Sequence, residues 1–456
     1  MNSNEDVITE SKHGAVQFRL PGSPFSASCG KDSAFIGKYF TLRLLEELYV
    51  MGYDFLLSSD LSRAFDQGTL FFKQGLISGE RTRKSFIAIS PHGFDRIHLV
   101  KCTDAVIQTV REAVVSAWKP GIQTEGVSPA DKMLYEIKVR GNPWSSDSPD
   151  EALASRKLLL SLLGQLALSG WKLHAAVNVR NGCGNCLFFV HEERHAMASE
   201  DFAVIAPGRF DRLRLIGFDS AALEAARLTV LRFHQRDPDD RYGSGCAEYK
   251  LKGYPFSCSA EEGIASRQLI CRLLEALRDR GWEVLAGLDV ATKKSFEKSL
   301  IVMNRCESAR LKFACVAPGD IDRLYLINFP HQISQLLKQT ITRYYLPGVV
   351  SQEARDASSV HEFVLQGPPW SHNSSFNLQA RTMLMMIVKE LGTYGWQVVA
   401  SADVSSKYVH HDSGTDFPLD VQTLYFCFNG LPKGVSVPNS ASVSFSELRV
   451  MDLEDL

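Results

Sequence analysis

Hydrophobic and polar positions alternate in short runs and then change to helical spacing, and this order recurs along the chain. In 135–140 apolar and polar residues alternate with a period of two, which predicts a half-buried strand. After it, Leu159, Leu162, Leu163 and Leu166 fall on one face of a helix. This first stretch therefore predicts a strand followed by a long amphipathic helix.

Further strands and a second helix are predicted behind that helix. Two strands span 172–179 and 186–190, a third runs through 202–217, and an amphipathic helix covers 221–233. Short connections between successive strands predict antiparallel pairing. The predicted fold class is therefore α+β, with the order β-α-β-β-β-α and an antiparallel sheet covered by helices on one face.

The motif Gly-x-Pro-aromatic-Ser occurs four times, and its glycines are 119, 112 and 114 residues apart. Proline cannot donate to a strand ladder, so the motif is expected to end a strand and lead into the helix. This spacing indicates four tandem repeats. The motif residues are Gly22, Pro24 and Phe25; Gly141, Pro143 and Trp144; Gly253, Pro255 and Phe256; and Gly367, Pro369 and Trp370.

A Gly-aromatic pair closes the long helix in each repeat, and two polar series keep a fixed distance from its glycine. The basic series, 14 positions before the glycine, is Lys38, Arg156, Arg267 and Arg381. The acid/amide series, eight positions after it, is Asp60, Asn178, Asp289 and Asp403. A structural ion pair or a hydrogen bond to a loop backbone explains both series, and ligand binding is the alternative. Catalysis is disfavoured because the amide of Asn178 cannot transfer a proton.

Each of the four repeats has a strand-like segment after the acid/amide position. In the first three repeats an Asp-Arg pair at a turn follows this segment. These segments begin at Thr69, Cys186, Ser299 and Thr423. The arginines of the pairs are Arg96, Arg212 and Arg323. Each arginine either pairs locally or points outward to a partner, and these three are the candidate partner contacts.

The repeats set the predicted domain boundaries. A disordered leader, 1–15, precedes repeats at 16–127, 128–243, 244–358 and 359–456. Stretches rich in Pro, Gly, Ser and charge separate them. In the fourth repeat, 442–451 matches the last strand but no second helix follows, so that repeat is expected to be truncated.

The combined motifs resemble a tandem repeat of uncharacterised fungal and animal proteins. The residues that carry the resemblance in the second repeat are Gly141, Pro143, Trp144, Arg156, Gly170, Trp171 and 211–216, with Asn178 where Asp is usual. The resemblance covers nearly the whole chain, although Ser446-Glu447-Leu448-Arg449 replaces Asp-Arg-Leu-Arg in the last repeat. It supports the repeat boundaries and implies no site.

Composition and charge narrow the class of protein. The chain has 456 residues, a formal net charge of -2 and ten cysteines. Near-neutral charge gives no general reason for binding nucleic acid or a membrane surface. The polar N-terminus has no apolar core of a secretory signal, so a cytoplasmic protein is expected, with the nucleus left open.

Chemical motifs are sparse. The pair Cys183 and Cys186 forms a single CxxC, which is weak evidence for zinc or redox chemistry. Phosphate-binding loops, a nucleophile elbow and HExxH are missing from the sequence. No catalytic residue, metal ligand or cofactor is therefore predicted.

Three hypotheses for function follow. The first is a non-enzymatic interaction or scaffold protein that offers repeated surfaces to protein partners. The second is binding of RNA or single-stranded nucleic acid on sheet faces, for which Phe25, Trp144, Phe256 and Trp370 would be stacking platforms. The third is an enzyme with a site at a cleft between repeats.

Overall fold

The structure is a computed structural model in which part of the chain is described. The described residues are 9–12, 15–18, 20, 24–25, 31–61, 68–75, 81–129, 131–145, 148–179, 184–192, 201–208, 210–234, 245–257, 260–290, 299–355, 359–371, 375–404, 408–409, 417–418 and 422–432. The predicted truncation of the fourth repeat concerns 433–456, which lies outside these ranges.

Seven helices and 23 strands occur in the described part of the chain. The helices are α1 (Lys31–Val50), α2 (Asp104–Ala117), α3 (Pro149–Leu168), α4 (Ser220–His234), α5 (Ala260–Arg278), α6 (His331–Tyr344) and α7 (Phe376–Thr393). The strands are β1 (Thr9–Lys12), β2 (Ala15–Phe18), β3 (Tyr53–Ser59), β4 (Thr69–Gln74), β5 (Phe86–His92), β6 (Arg96–Val100), β7 (Ile122–Val127), β8 (Leu134–Val139), β9 (Trp171–Val177), β10 (Cys186–His191), β11 (Phe202–Gly208), β12 (Arg212–Ile216), β13 (Cys246–Lys250), β14 (Trp282–Leu288), β15 (Leu300–Arg305), β16 (Lys312–Gly319), β17 (Arg323–Ile327), β18 (Val349–Arg355), β19 (Val360–Leu365), β20 (Trp396–Ala402), β21 (Tyr408–Val409), β22 (Phe417–Pro418) and β23 (Thr423–Phe428). None of the helices in these ranges is long and apolar enough to span a membrane.

Local sequence explains the ends of the long helices. The side chain of Ser148 accepts a hydrogen bond from the backbone N–H of Glu151 at 3.1 Å, and Pro149 occupies the first turn of α3. Gly170, with φ +79°, follows the helix end and supplies the left-handed conformation that other residues rarely adopt. The cap and the glycine therefore fix where α3 begins and ends.

Antiparallel pairing joins the strands of every sheet. Three large sheets have the strand orders β7-β8-β6-β5-β10-β9, β13-β12-β11-β15-β14 and β18-β19-β17-β16-β23-β20. The pairs β1-β2, β3-β4 and β21-β22 form two-stranded sheets. The predicted α+β class with antiparallel sheets is confirmed. The third strand predicted at 202–217 consists of two strands, β11 and β12, which pair with each other as a hairpin.

The sheets are offset by about half a repeat from the sequence boundaries. The first large sheet combines β5 and β6, from 16–127, with β8, β9 and β10, from 128–243. We therefore distinguish four packed units from the repeats. The first unit is β1–β4 with α1, the second β5–β10 with α2 and α3, the third β11–β15 with α4 and α5, and the fourth β16–β23 with α6 and α7.

Each long helix packs between two sheets. Helix α3 contributes Leu159 and Leu163 to a core that contains Ile87 of its own sheet and Val204 of the next sheet. Helix α1 packs in the same way on Phe86 of the second unit. Equivalent cores lie around α5, against β16 and β23, and around α7, against β3 and β4. Large sheets therefore carry helices of their own unit on one face and the long helix of the preceding unit on the other.

The four units close into a ring. The first strand after each long helix, β3, β9, β14 or β20, is the inner strand of its unit. Strand β9 contacts β3 and β14, and β20 contacts β14 and β3. The fourth unit therefore contacts the first, and the described part of the chain forms a cyclic array.

Candidate functional site

The repeat-signature residues meet at one end of the sheets. Cys186 lies opposite Val177, so the loop after β9 is at the same end as the start of β10. The end of β5 lies there too, because Leu187 of β10 is opposite Ile89. The turn between β5 and β6 and the C-terminal end of β8 are at the same place, since Arg96 is paired with both His92 and Lys138. We call this side of the ring the signature end.

The acid/amide series forms the seams of the ring. The backbone N–H of Asp60 donates to Oε1 of Gln422 at 2.8 Å, and the N–H of Gln422 donates back to the Asp60 carbonyl at 3.2 Å. Asp403 and Ser299 make the same exchange, with Asp403 N–H to Ser299 Oγ at 2.7 Å and Ser299 N–H to Asp403 O at 3.0 Å. In both seams, one unit therefore binds the residue just before the strand that pairs with the inner strand of the preceding unit.

The two remaining seams repeat this arrangement with different side chains. Asp289 N–H donates to the side-chain oxygen of Asn185, and Asn185 N–H donates to the Asp289 carbonyl at 2.6 Å. At the last seam the N–H of Gly68 donates to the carbonyl of Asn178 at 3.3 Å. Glycine has no side chain to return the bond, so this seam lacks the side-chain acceptor of the other three.

Two members of the basic series contact the first residues of the same strands from neighbouring helices. Arg267 Nε donates to Thr423 Oγ1 at 2.9 Å, and Arg381 Nε donates to Thr69 Oγ1 at 3.0 Å. The residues in the two pairs belong to different units, third to fourth and fourth to first. Arg156 donates to the Ala152 carbonyl of its own helix at 3.3 Å.

Lys38, the remaining member of the basic series, is also buried. Its Nζ lies 3.1 Å from Nδ1 of His98, on the sheet of the second unit. Lys38, Arg156 and Arg267 are each 4% exposed or less. These positions support the structural interpretation of both polar series. The contacts of Lys38, Arg267 and Arg381 join neighbouring units, as do those of the acid/amide series.

The strand pairing corrects the alignment of the four repeats at one position, Ser299. Leu288 is paired with Leu300, as Ala402 is with Thr423, so Leu300 is the counterpart of Thr69, Cys186 and Thr423. Ser299 instead corresponds to Gly68, Asn185 and Gln422, the residues that meet the acid/amide series. The alignment of Ser299 with Thr69 is therefore wrong by one residue, because Thr and Ser resemble each other in a segment of otherwise apolar residues.

The Gly-x-Pro-aromatic motif anchors the turn before each Asp-Arg pair. Trp144 donates its backbone N–H to the Phe94 carbonyl at 3.2 Å and its indole N–H to the Arg96 carbonyl at 2.8 Å. The indole of Trp370 donates to the Arg323 carbonyl at 2.9 Å. Trp144, Phe256 and Trp370 are buried, and so are the prolines Pro24, Pro143, Pro255 and Pro369.

Three motif glycines have the left-handed backbone conformation. Gly141, Gly253 and Gly367 have φ between +75° and +80°, so a side chain there would be strained. Phe25 is half-buried, and Gly22 lies outside the described residues.

The candidate partner contacts Arg96, Arg212 and Arg323 pair within their own sheets. Arg96 forms an ion pair with Glu136, and Arg323 forms one with Glu362. Arg212 Nη1 lies 2.9 Å from Glu248 Oε1. The carboxylates lie on the neighbouring strand, and the arginines retain 24% to 35% exposure of their side chains. Hydrogen bonding to Glu362 raises the pKa of Arg323, which stays protonated.

An exposed apolar residue precedes each Asp-Arg pair, and sequence reasoning missed this series. Phe94, Phe210 and Ile321 are 54%, 43% and 54% exposed at the turns of the signature end. We call them the tip residues. The ring of Tyr254 contacts Phe210 edge-on, with 6.0 Å between centroids. The available signal was a large apolar residue inside a turn, where polar residues are usual.

A cavity of about 520 Å³ lies between the inner strands β9, β14 and β20. Trp171, Phe189, Phe202 and Phe313 are among its apolar walls. Polar groups also line it, contributed by Lys172, Arg278, Glu283, Asn304, Gln397 and Asn429. Three units contribute to this cavity, which is lined by the starts of the inner strands, away from the signature end.

The cysteines within the described ranges are free thiols. Burial raises the pKa of Cys186 to about 12 and that of Cys427 to about 12, so both are protonated at neutral pH. A protonated thiol is a poor nucleophile and a poor metal ligand. Cys183, the other half of the CxxC, lies outside the described residues.

Comparison with known proteins agrees with the division into units. No curated protein and no solved structure matches the chain. The model of one uncharacterised domain family matches four stretches, 2–73, 85–195, 201–303 and 312–427. These stretches begin and end close to the four packed units. The chain therefore belongs to this family and carries its domain as a tandem repeat.

Proposed function

We propose that the protein is a non-enzymatic cytoplasmic scaffold that binds protein partners through the tip residues. The observation that carries this proposal is the exposure of Phe94, Phe210 and Ile321 at one position of three successive units. Large apolar side chains on an exposed turn lower the solubility of a protein. A partner that covers them removes this apolar surface from water, which favours binding. Repetition of the same tip around a ring provides several equivalent contacts, which raises avidity.

The surroundings of the tips fit a binding surface. The backbone carbonyls of Phe94 and Phe210 accept hydrogen bonds from Trp144 and Phe256, and both of these aromatic side chains are buried. The turns are therefore held in place before a partner arrives, which lowers the entropy cost of binding. The ion pairs of Arg96 and Arg212 beside the turns supply a polar rim of the kind seen around apolar contact cores.

Site-specific photo-crosslinking tests the proposal. A photoreactive phenylalanine analogue at position 94, 210 or 321 of the full chain should yield the same cross-linked protein partner in cells. Val115 is a matched control, because it is 65% exposed and apolar but lies on α2, outside the tip series. The partner should be lost when the remaining tips are changed to Ser. Equal cross-linking from position 115 would contradict the proposal.

The cavity favours a second candidate, binding of a small molecule between units. Its volume of about 520 Å³ lies within the range of ligand pockets, and it combines aromatic walls with a few polar groups. An enzyme at a cleft between repeats would use this place. Binding of an apolar fluorescent probe should fall in Val399→Trp, which fills the cavity, and stay unchanged in Val115→Trp.

Nucleic-acid binding on sheet faces gains no support from the described residues. Both faces of the large sheets are packed against helices, as the cores around α3 and α5 show. The aromatic residues proposed as stacking platforms are buried at Trp144, Phe256 and Trp370. We therefore keep protein partners as the proposal.

A further inference from the structure

The lining of the cavity between β9, β14 and β20 changes from polar to apolar along these inner strands. The second residue of each strand is exposed and polar, and these residues are Lys172, Glu283 and Gln397. Apolar lining residues follow one or two positions later, and these are Leu173, Leu285 and Val399. The cavity therefore has a polar end at the starts of the inner strands and an apolar part further along them.

The protein covers the apolar part of the lining incompletely. Val284, Leu285 and Val399 are only partly buried, although β14 and β20 lie against each other. Further along the same strands Leu288 and Ala402 are buried. Removing apolar surface from water favours binding by about 25 cal/mol per Å². An apolar chain in the cavity would therefore be stabilised by covering these three side chains.

The guanidinium of Arg278 lines the same cavity with donors to spare. Its Nη1 donates to Cys306 Sγ at 3.0 Å and to the backbone carbonyl of Glu307. Within the described part of the chain, no carboxylate forms an ion pair with Arg278, and its Nε and Nη2 have no hydrogen-bond partner. Two adjacent N–H groups of a guanidinium bind the two oxygens of a carboxylate. Arg278 is therefore suited to bind the carboxylate of a ligand.

Lys172 supplies a second cation at the polar end. Its Nζ lies 3.9 Å from Oε2 of Glu192, at the limit of ion-pair distance. Glu192 makes a closer ion pair with Lys84, at 2.9 Å. The ammonium group of Lys172 can therefore turn to a ligand in the cavity at little cost.

Glu283 contributes a negative charge to the lining and limits the charge of the ligand. Its Oε1 accepts a hydrogen bond from Asn304 Nδ2 at 3.2 Å. With Lys172 and Arg278, it gives the described lining a formal net charge of +1. A ligand with one negative charge neutralises this lining, whereas a doubly charged phosphate would be repelled by Glu283 and a cation by Arg278. The lining therefore favours a monoanion.

The volume of the cavity limits the length of the apolar chain. A water molecule occupies about 30 Å³ in the liquid, and a methylene group is of similar size, so a chain of about ten carbon atoms with its carboxylate fits within about 520 Å³. A fatty acid of medium length therefore matches the cavity in size, charge and polarity.

We propose that the cavity binds an amphipathic carboxylic acid of medium chain length. The carboxylate pairs with Arg278 and Lys172, and the chain lies against Leu173, Leu285 and Val399. This inference rests on the second candidate function, binding of a small molecule between units, and adds the class of ligand to it. Because three units line the cavity, the bound acid also stabilises the ring at this place.

Competition for the cavity tests the ligand class with the full chain. The uncharged fluorescent dye N-phenyl-1-naphthylamine is bound first and is then displaced by decanoate or by decyltrimethylammonium, which has the same chain and a positive head group. Decanoate should displace the dye at a concentration lower by about tenfold or more, because its head group alone pairs with Arg278. Equal concentrations, or stronger displacement by the cation, would overturn the proposal.

Charge variants test the site of the carboxylate. Arg278→Gln should weaken decanoate binding about tenfold, and Lys172→Gln, at an exposed position, roughly threefold. Both variants should still bind the uncharged dye, which shows that they are folded. Arg278→Lys keeps the charge and should restore part of the affinity. Lys157→Gln is the matched control, because Lys157 is exposed on α3 outside the lining. Equal decanoate affinity in all of these variants would contradict the proposal.

The dye separates failure of the ligand class from failure of the cavity itself. Dye binding that is missing, or unchanged in Val399→Trp, would rule out the cavity as a binding site and the carboxylic acid with it. Dye binding that is lost in Val399→Trp but resists decanoate would leave the cavity as a binding site and overturn the ligand class alone.

Discussion

Helix α1 of the first unit and the long helices of the other units share an apolar pattern but differ in what covers it. Phe40 is 40% exposed, whereas its counterparts Leu158, Leu269 and Met383 are fully buried. In the complete units a second helix lies beside the long one, as α2 does beside α3. In the described part of the chain α1 has no such neighbour. Burial in this fold is thus decided by the neighbouring element and less by the sequence of the helix itself.

Replacing the motif aromatic should show this difference most strongly. Trp370→Ala removes a buried indole and its hydrogen bond to Arg323 O, and we expect a loss of about 3–5 kcal/mol in unfolding free energy. Phe25→Ala removes a half-buried ring and should cost about half as much. Urea unfolding followed by circular dichroism measures both. Equal losses would contradict the comparison.

Truncation of a helix leucine tests the same difference on the helix face. Leu273→Ala empties a fully buried position of α5, and the expected loss of unfolding free energy is about 2–4 kcal/mol. Its counterpart Leu44 is 38% exposed, so Leu44→Ala should cost about 1 kcal/mol or less. Urea midpoints of the two variants provide the measurement. A Leu44→Ala loss as large as that of Leu273→Ala would show that α1 is covered in solution.

The seam between the first and second units should be sensitive to acid. His174 packs among the rings of Tyr49, Phe55 and Phe86. Burial, assisted by Lys172, lowers its pKa to about 4. An unfolded chain binds that proton near pH 6.5, so stability is lost as the pH falls from about 6.5 to 4, by up to about 1.4 kcal/mol per pH unit.

The other repeats supply the control for this prediction. Leu56, Leu285 and Val399 stand at the position of His174. His174→Leu should therefore flatten the decrease of the melting temperature between pH 6.5 and 4, while stability at pH 7.5 changes little. An unchanged pH profile would show that His174 does not cause the acid sensitivity.

The seam hydrogen bonds should have the smallest effect. Ser299→Ala removes the acceptor of the Asp403 N–H at a buried site, which we expect to lower the unfolding free energy by about 1–2 kcal/mol. The seam at Gly68 is the natural comparison, because it already lacks this side-chain bond. Thermal unfolding of Ser299→Ala and Ser299→Asn measures the difference. The Ser299→Asn variant keeps a side-chain acceptor of the kind that Asn185 provides, so a loss as large as that of Ser299→Ala would contradict the assignment.

Much of the fold could be predicted from the sequence, because motif spacing and apolar periodicity report local structure. The strand before Trp144, helix α3 and the glycine after it follow from these patterns. The hairpin β11-β12 was predicted as one strand at 202–217, although the Asp211-Arg212 turn falls inside it. The apolar residues of β11 and the apolar Phe210 in the turn make the segment resemble one long strand with an irregularity.

Contacts between units were beyond sequence reasoning. The spacing of Arg381 and Asp403 revealed two recurring series, but Arg381 contacts Thr69 across 312 positions and Asp403 contacts Ser299 across 104. Because the same motifs recur in all four repeats, the motifs do not identify the repeat that each residue contacts. The half-repeat offset of the sheets was hidden for the same reason, since a periodic sequence can be divided at any point.

The bond between Asp60 and Gln422 has a kinetic consequence. It joins residues 362 positions apart, whereas the Asn185–Asp289 contact joins residues 104 apart. Closing the longer loop costs roughly 1 kcal/mol more in chain entropy, and contacts so distant along the sequence slow folding. Neighbouring units can associate as the ribosome releases them, but this last junction must wait until Gln422 has emerged. The nascent protein therefore passes through a state in which neighbouring units are in contact but the ring is still open.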